Sequence, residues 1–290
     1  MLFILLSILS STAIVLLFKL FRKFQIDTFQ AIVFNYLTCV FLGWAALGSF
    51  PIQLSSATEI WFPYAMVLGF LFIVSFNIAA VTVQYFGVTL AAIMQRMSLL
   101  ISVPFAVFSH GESADWFKII GLFFALLAII FATLSNAQSG NQKNKIPKVF
   151  WLLPVLILIC GGLNEIVLLH VKHIAAADSN LSFVTFIFAT AAIIGTIRLA
   201  IMAIRRQSIL HKKHAIAGIV LGLFNFGSVY FLLQALDAGW DGSVAFPLNN
   251  VAVIALSSGI AWLVLREKLS KVNILGVAMS VLAIVLIALS

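Results

Sequence analysis

Six side chains interrupt long apolar runs in a way that invites chemistry. Arg96 stands inside 88-VTLAAIMQRMSLLISVPFAVF-108, and Glu165 inside 160-CGGLNEIVLLH-170. Asn249 and Asn250 are adjacent in 247-PLNN-250, and Asn77 and Asn225 sit alone among apolar neighbours. An arginine in such a setting would hold a carboxylate or phosphate as a bidentate pair. A glutamate would take up and release a proton. Amides would hydrogen-bond a polar solute. Each also has a plainer reading. Arg96 and Glu165 would form an ion pair, Glu165 would pair instead with Lys172, and the amides would join helices, each such bond contributing about 0.6–2 kcal/mol in lipid.

The surroundings of these residues decide what kind of chain this is. It has 290 residues, of which 63% are hydrophobic and 9% charged. A soluble domain carries about 25% charged residues, so this chain cannot clothe a water-facing surface. It reads as an integral membrane protein, with the lipid bilayer as its solvent. Its formal net charge of +8 then points to basic loops beside anionic lipid and not to nucleic acid. Cys39 and Cys160 lie in apolar runs and read as buried free thiols.

Apolar runs long enough to cross a bilayer as helices fall at about 2–19, 29–48, 62–84, 88–108, 115–135, 150–170, 181–203, 215–236, 243–264 and 271–289. The first reads as a membrane helix and not as a cleaved leader. Ten spans put thirteen Lys and Arg on one side of the membrane, leaving Lys118 and Lys172 in loops on the other and Arg96 and Arg198 within spans. By the positive-inside rule the basic side is cytoplasmic and both termini lie outside. Trp61, Trp116 and Trp240 fall at span ends, where interfacial belts place Trp.

The chain also resembles itself. The segment 112-ESADWFKIIGLFFALLAIIFATLS-135 aligns with 267-EKLSKVNILGVAMSVLAIVLIALS-290 at an offset of 155, pairing Glu112 with Glu267, Gly121 with Gly276 and Leu-Ala-Ile 127–129 with 282–284. Two repeats follow, residues 1–135 and 150–290, joined by a cytoplasmic linker at 136–149. Five spans per repeat mean that the second enters the membrane inverted, a plan of secondary transporters with a site near the midplane. The shared glutamates would then lie on opposite faces, as turn-capping groups and not as a catalytic pair. Gly121 and Gly276 read as points of close helix packing.

This layout, with an apolar span, a Glu and a Gly nine residues on, resembles the drug/metabolite transporter superfamily, and within it the EamA-like permeases. The stretch 247–289 carries the resemblance best, with Pro247 near the start of a small-residue-rich helix, Arg266-Glu267-Lys268 and Gly276. It implies a basket of ten helices whose third, fourth, eighth and ninth line a central cavity, and the outward movement of small metabolites. Relatives of this kind keep both termini in the cytoplasm, which the charge count here does not.

The reading is therefore an all-α membrane protein that moves a small polar or amphipathic solute (an amino acid, organic anion or sugar) across the cell membrane by alternating access, with export the expected direction. Arg96, Asn249, Asn250, Asn77 and Asn225 are the expected substrate contacts. Glu165 is the coupling candidate, with protons the coupling ion. The aromatics Phe76, Tyr85, Phe224, Phe226, Tyr230, Trp240 and Phe246 would supply an apolar wall. A flippase for a lipid-linked sugar or lipid is the alternative, and a channel or structural protein a remote one. No nucleophile–base pair or nucleotide-binding loop appears, so neither an enzyme nor a cofactor is expected. His211 and His214 have metal-like spacing, but lysines flank them, and they read as a solvated loop with no metal site.

Overall fold

The computed structural model describes residues 1–48, 58–86, 94–95, 98–111, 115–138, 148–174, 180–205, 210–263 and 271–289. The described elements are helical: α1 (Leu2–Lys23), α2 (Thr28–Leu47), α3 (Phe62–Phe86), α4 (Leu99–His110), α5 (Trp116–Gln138), α6 (Leu152–Ile174), α7 (Asn180–Ile204), α8 (Lys212–Asp237), α9 (Gly242–Leu263) and α10 (Lys271–Ala288), with a short 3₁₀ turn at Lys148–Trp151. With no water in hydrocarbon to satisfy backbone groups, helices are what such a sequence must form. Among the described residues five stretches are long and apolar enough to cross a membrane: Thr28–Leu47, Phe62–Ala79, Val149–Ile174, Leu181–Ile204 and Lys212–Asp237. The apolar parts of the other helices are shorter.

The chain folds as two compact units. Unit 1 comprises Met1–Asn77 and Val167–Ala238, and unit 2 comprises Ile78–Ile166 and Gly239–Ser290. Each combines residues from both halves of the sequence, and two of the divisions fall inside α3 and α6.

In unit 1, α2 packs against α7 and α8, and α1 lies along α8. The α2–α8 contact runs parallel: Gly218 meets Ala31 and Gly222 meets Asn35 and Thr38, four residues on in both helices. A Cβ on Gly218 would stand 2.4 Å from the Ala31 carbonyl oxygen. The bare backbone is what permits this approach, since helices in lipid gain from close van der Waals contact and not from hydrophobic expulsion. Asp27 caps α2, its carboxylate accepting from the Gln30 backbone amide at 3.1 Å, and Gly48 ends the helix at φ 67°.

Two expectations change here. Trp61, expected at a lipid interface, is 3% exposed and packs edge-on against Phe183 and Phe186. His214, expected in a solvated loop, lies in the first turn of α8, is buried, and accepts the Asp27 backbone N–H at Nδ1 over 3.1 Å. Trp116, by contrast, is exposed at the start of α5.

In unit 2, α5 and α10 pack along each other, and α9 packs against α4 and α10. Val103, Ala125, Val251, Ile254 and Ala283 form the core. Ala128 and Ala283, aligned in the two Leu-Ala-Ile stretches, are both buried.

Candidate functional site

Glu165 organises the polar interior of unit 2. It lies well inside α6, about 20 Å from the start of the helix at 1.5 Å per residue. One turn earlier come Gly161 and Gly162. A Cβ on Gly161 would lie 3.0 Å from Ser98 Cβ and 3.1 Å from the Gln95 carbonyl oxygen, and one on Gly162 would lie 2.7 Å from Ile101 Cβ. The two glycines let the segment entering α4 come against α6. That approach delivers Ser98, whose hydroxyl donates to Glu165 Oε1 at 2.9 Å. Ser98 is itself anchored, because its carbonyl accepts from the Ile101 and Ser102 amides at the start of α4.

The third wall is α9. Asn250 Nδ2 donates to the same Glu165 Oε1 at 3.0 Å. Asn250 and its neighbour Asn249 are buried, as is Ser98. Three segments far apart in sequence thus converge on one carboxylate oxygen, with two neutral donors upon it. Hydrogen bonds to a charged acceptor are the strong ones, and a low dielectric strengthens them further. A carboxylate held this way can keep its charge within an apolar helix, and can exchange a neutral donor for an ammonium group, a hydroxyl or a proton.

The other candidates are placed as follows. Arg96 lies outside the described residues, as do Glu112, Glu267 and residues 139–147 of the linker. Lys172, considered as a partner of Glu165, forms an ion pair with Asp237 in unit 1. Asn77, the last residue of the first segment of unit 1, turns its amide back to the Ile73 carbonyl at 2.6 Å. Asn225, also in unit 1, is buried on the α8 stripe that carries Gly218 and Gly222. The structure brings together Glu165, Asn250 and Ser98, and places Asn77 and Asn225 in the other unit.

Among the aromatics, Phe226 stacks on Tyr230 with centroids 5.8 Å apart, and Phe76 packs against Tyr36. Phe246 is buried and Phe224 is exposed. The Tyr85 side chain lies outside the described residues.

Sequence reasoning missed three features. Ser98 stands two residues after Arg96 and carries no charge to draw attention. Lys118, expected in a loop, is the third residue of α5, is 2% exposed, and donates to Ser243 Oγ at 2.8 Å. Asn35 and Tyr36 are fully buried on α2, and the Asn35 amide nitrogen, the Tyr36 hydroxyl and the Asn225 amide nitrogen have no hydrogen-bond partner among the described residues. An amide beside a tyrosine in an apolar run was the available signal. Among the described residues no group of three His, Cys, Asp or Glu comes together as a metal site.

Described elements that are all helical, several of them long and apolar enough to cross a membrane, mark a multi-pass membrane protein. Residues 167–289 match the model of the EamA-like transporter family, one of the drug/metabolite transporter superfamily. Such a family implies a small-molecule substrate and a lipid environment. An uncharacterized protein of Haemophilus influenzae is 28% identical over 285 residues, covering 96% of this chain and 94% of that protein. A protein of known crystal structure shares the fold with a TM-score of 0.75, covering 99% of this chain and 96% of that one at 14% identity.

Proposed function

We propose that the protein is a secondary transporter that moves a small polar or amphipathic metabolite by alternating access, with Glu165 as the group that exchanges partners during the cycle. The observation that carries this reading is the convergence of Ser98 and Asn250 on one carboxylate oxygen within apolar helices. Ionisable residues at such depth are costly, and they mark substrate or proton pathways. In this reading Asn249 and Asn250 contact substrate, Glu165 carries a coupling proton, and Arg96, close to Ser98 in sequence, anchors an anionic group. Asn77 and Asn225 are proposed as further contacts.

The repeats 1–135 and 150–290, inverted about the linker 136–149, supply two near-equal arrangements opening to opposite sides. All ten helices cross the cell membrane, with the basic loops inside and export as the direction. Both lysines assigned to the other side have partners within the protein, Lys118 on Ser243 and Lys172 on Asp237. Neither is then a free loop charge, which supports this orientation.

The test is thermal stability in detergent against amino acids, organic acids, sugars, nucleotide-sugars and lipid-linked sugars, for wild type, Glu165→Gln and Arg96→Ala. A ligand at a hundred times its Kd stabilises the folded state by about 2.7 kcal/mol. The expected result is that one compound class raises the melting point of wild type and loses that effect in Glu165→Gln. Equal stabilisation of all three proteins by lipid-linked sugars alone would replace this reading with the flippase.

A further inference from the structure

Arg198 is the other arginine in an apolar run, and the site around Glu165 does not use it. It lies on α7, about 9 Å before the helix ends at Ile204. It is exposed on a face shared with Ile197, Ile201 and Ile204, which are 56%, 45% and 82% exposed. Its guanidinium sits 4.9 Å from the centre of the Phe29 ring, in the first turn of α2. A ring face satisfies the flat side of a guanidinium but none of its five N–H groups. Among the described residues no acceptor or acid meets those groups.

The end of unit 1 to which Arg198 reaches is basic. The turn between α1 and α2 lies against the start of α8, joined by Lys213 Nζ to the Gln25 carbonyl at 3.3 Å and by the Asp27 amide to His214. Lys23, Arg205, Lys212 and Lys213 are exposed there. Asp27, the acid at this end, has its carboxylate turned to Gln30. Exposed isoleucines with basic groups at their rim match the boundary between acyl chains and anionic headgroups.

We propose that Arg198 and this basic rim form a binding site for an anionic phospholipid. The guanidinium takes the phosphate as a bidentate pair, Phe29 fixes its plane, and Ile197 and Ile201 contact the acyl chains. The surrounding lysines select a headgroup of net negative charge over a zwitterionic one. This site is independent of the transport reading.

The test is native mass spectrometry of the detergent-purified protein titrated with phosphatidylglycerol or phosphatidylcholine, for wild type, Arg198→Gln and Arg198→Lys. Because Arg198 is exposed, both variants are expected to elute as wild type does on gel filtration. Phosphatidylglycerol should bind wild type in preference to phosphatidylcholine, and its affinity should fall about tenfold in Arg198→Gln. Arg198→Lys should recover part of that loss, since a point charge lacks the planar fork. Equal phosphatidylglycerol binding by wild type and Arg198→Gln would overturn the proposal. So would displacement of the lipid by millimolar inorganic phosphate, which would assign the site to a free anion. Should Arg198→Gln aggregate, Lys212→Gln/Lys213→Gln decides: unchanged preference for phosphatidylglycerol over phosphatidylcholine would overturn the role of the rim, and loss of that preference would support it.

Discussion

Replacing Asn250 and Glu165 by leucine, singly and together, should give stabilities that do not add. Asn250→Leu leaves Glu165 Oε1 with one fewer donor. Glu165→Leu leaves the buried Ser98 hydroxyl and Asn250 amide without the acceptor they share. Either loss costs about 1–3 kcal/mol, because a buried polar group is stranded. The double variant strands Ser98 but not the Asn250 amide, so its cost should fall short of the sum. A hydrogen bond to a charged group contributes about 1.5–3 kcal/mol, and this one shares its acceptor oxygen with Ser98 at 2.9 Å, so the coupling should be about 1–2 kcal/mol. The assay is equilibrium unfolding in mixed micelles, with tryptophan fluorescence as the signal. A cycle is needed because each residue touches other groups, whose loss cancels in the double difference. Additivity within about 0.3 kcal/mol would mean that Asn250 and Glu165 do not form a working pair, and the site would have to be rebuilt around other residues.

Gly218→Ala should destabilise the protein by about 1–3 kcal/mol, since its Cβ would press 2.4 Å from the Ala31 carbonyl oxygen and 2.5 Å from Phe34 Cβ. Gly259→Ala, whose Cβ would meet nothing within 4 Å, should be neutral or stabilising by up to about 1 kcal/mol from helix propensity. Melting curves of the two variants, taken together, check the contrast. Asp27→Ala should cost about 1 kcal/mol through loss of the cap on Gln30, read from the same curves.

Much of the fold was legible because period and length report directly on helices in lipid. Apart from the run 88–108, where the described helix begins at Leu99, the apolar runs and the described helices coincide closely, and the family match falls on the half whose motif, 247–289, was clearest. Glu165 and Asn250 were legible because a polar group in an apolar run is costly enough to need a reason. Ser98 was not, since a serine can satisfy itself on its own helix backbone and so marks nothing. Of the cations considered as partners of Glu165, Lys172 pairs with Asp237 and Arg96 lies outside the described residues, while Ser98 and Asn250 add two neutral donors that no charge pattern marks. Trp61, Lys118 and His214 were read from their places at span ends. Each is buried by contacts that link segments distant in sequence, and no local pattern reports such contacts. The two compact units were hidden for the same reason, each being assembled from both halves of the chain.

The central claim is that the Glu165 site opens alternately to the two sides of the membrane. A cysteine in place of Ser98, nearly isosteric with serine, would put a thiol beside Glu165, and the buried native Cys39 and Cys160 provide an unreactive background. The protein would be reconstituted in one orientation and treated with a membrane-impermeant thiol reagent from either side. Alternating access predicts labelling from both sides, and a compound that stabilises the protein should suppress labelling from one side more than from the other. Labelling from one side under every condition, or from both sides equally and without response to any compound, would contradict it.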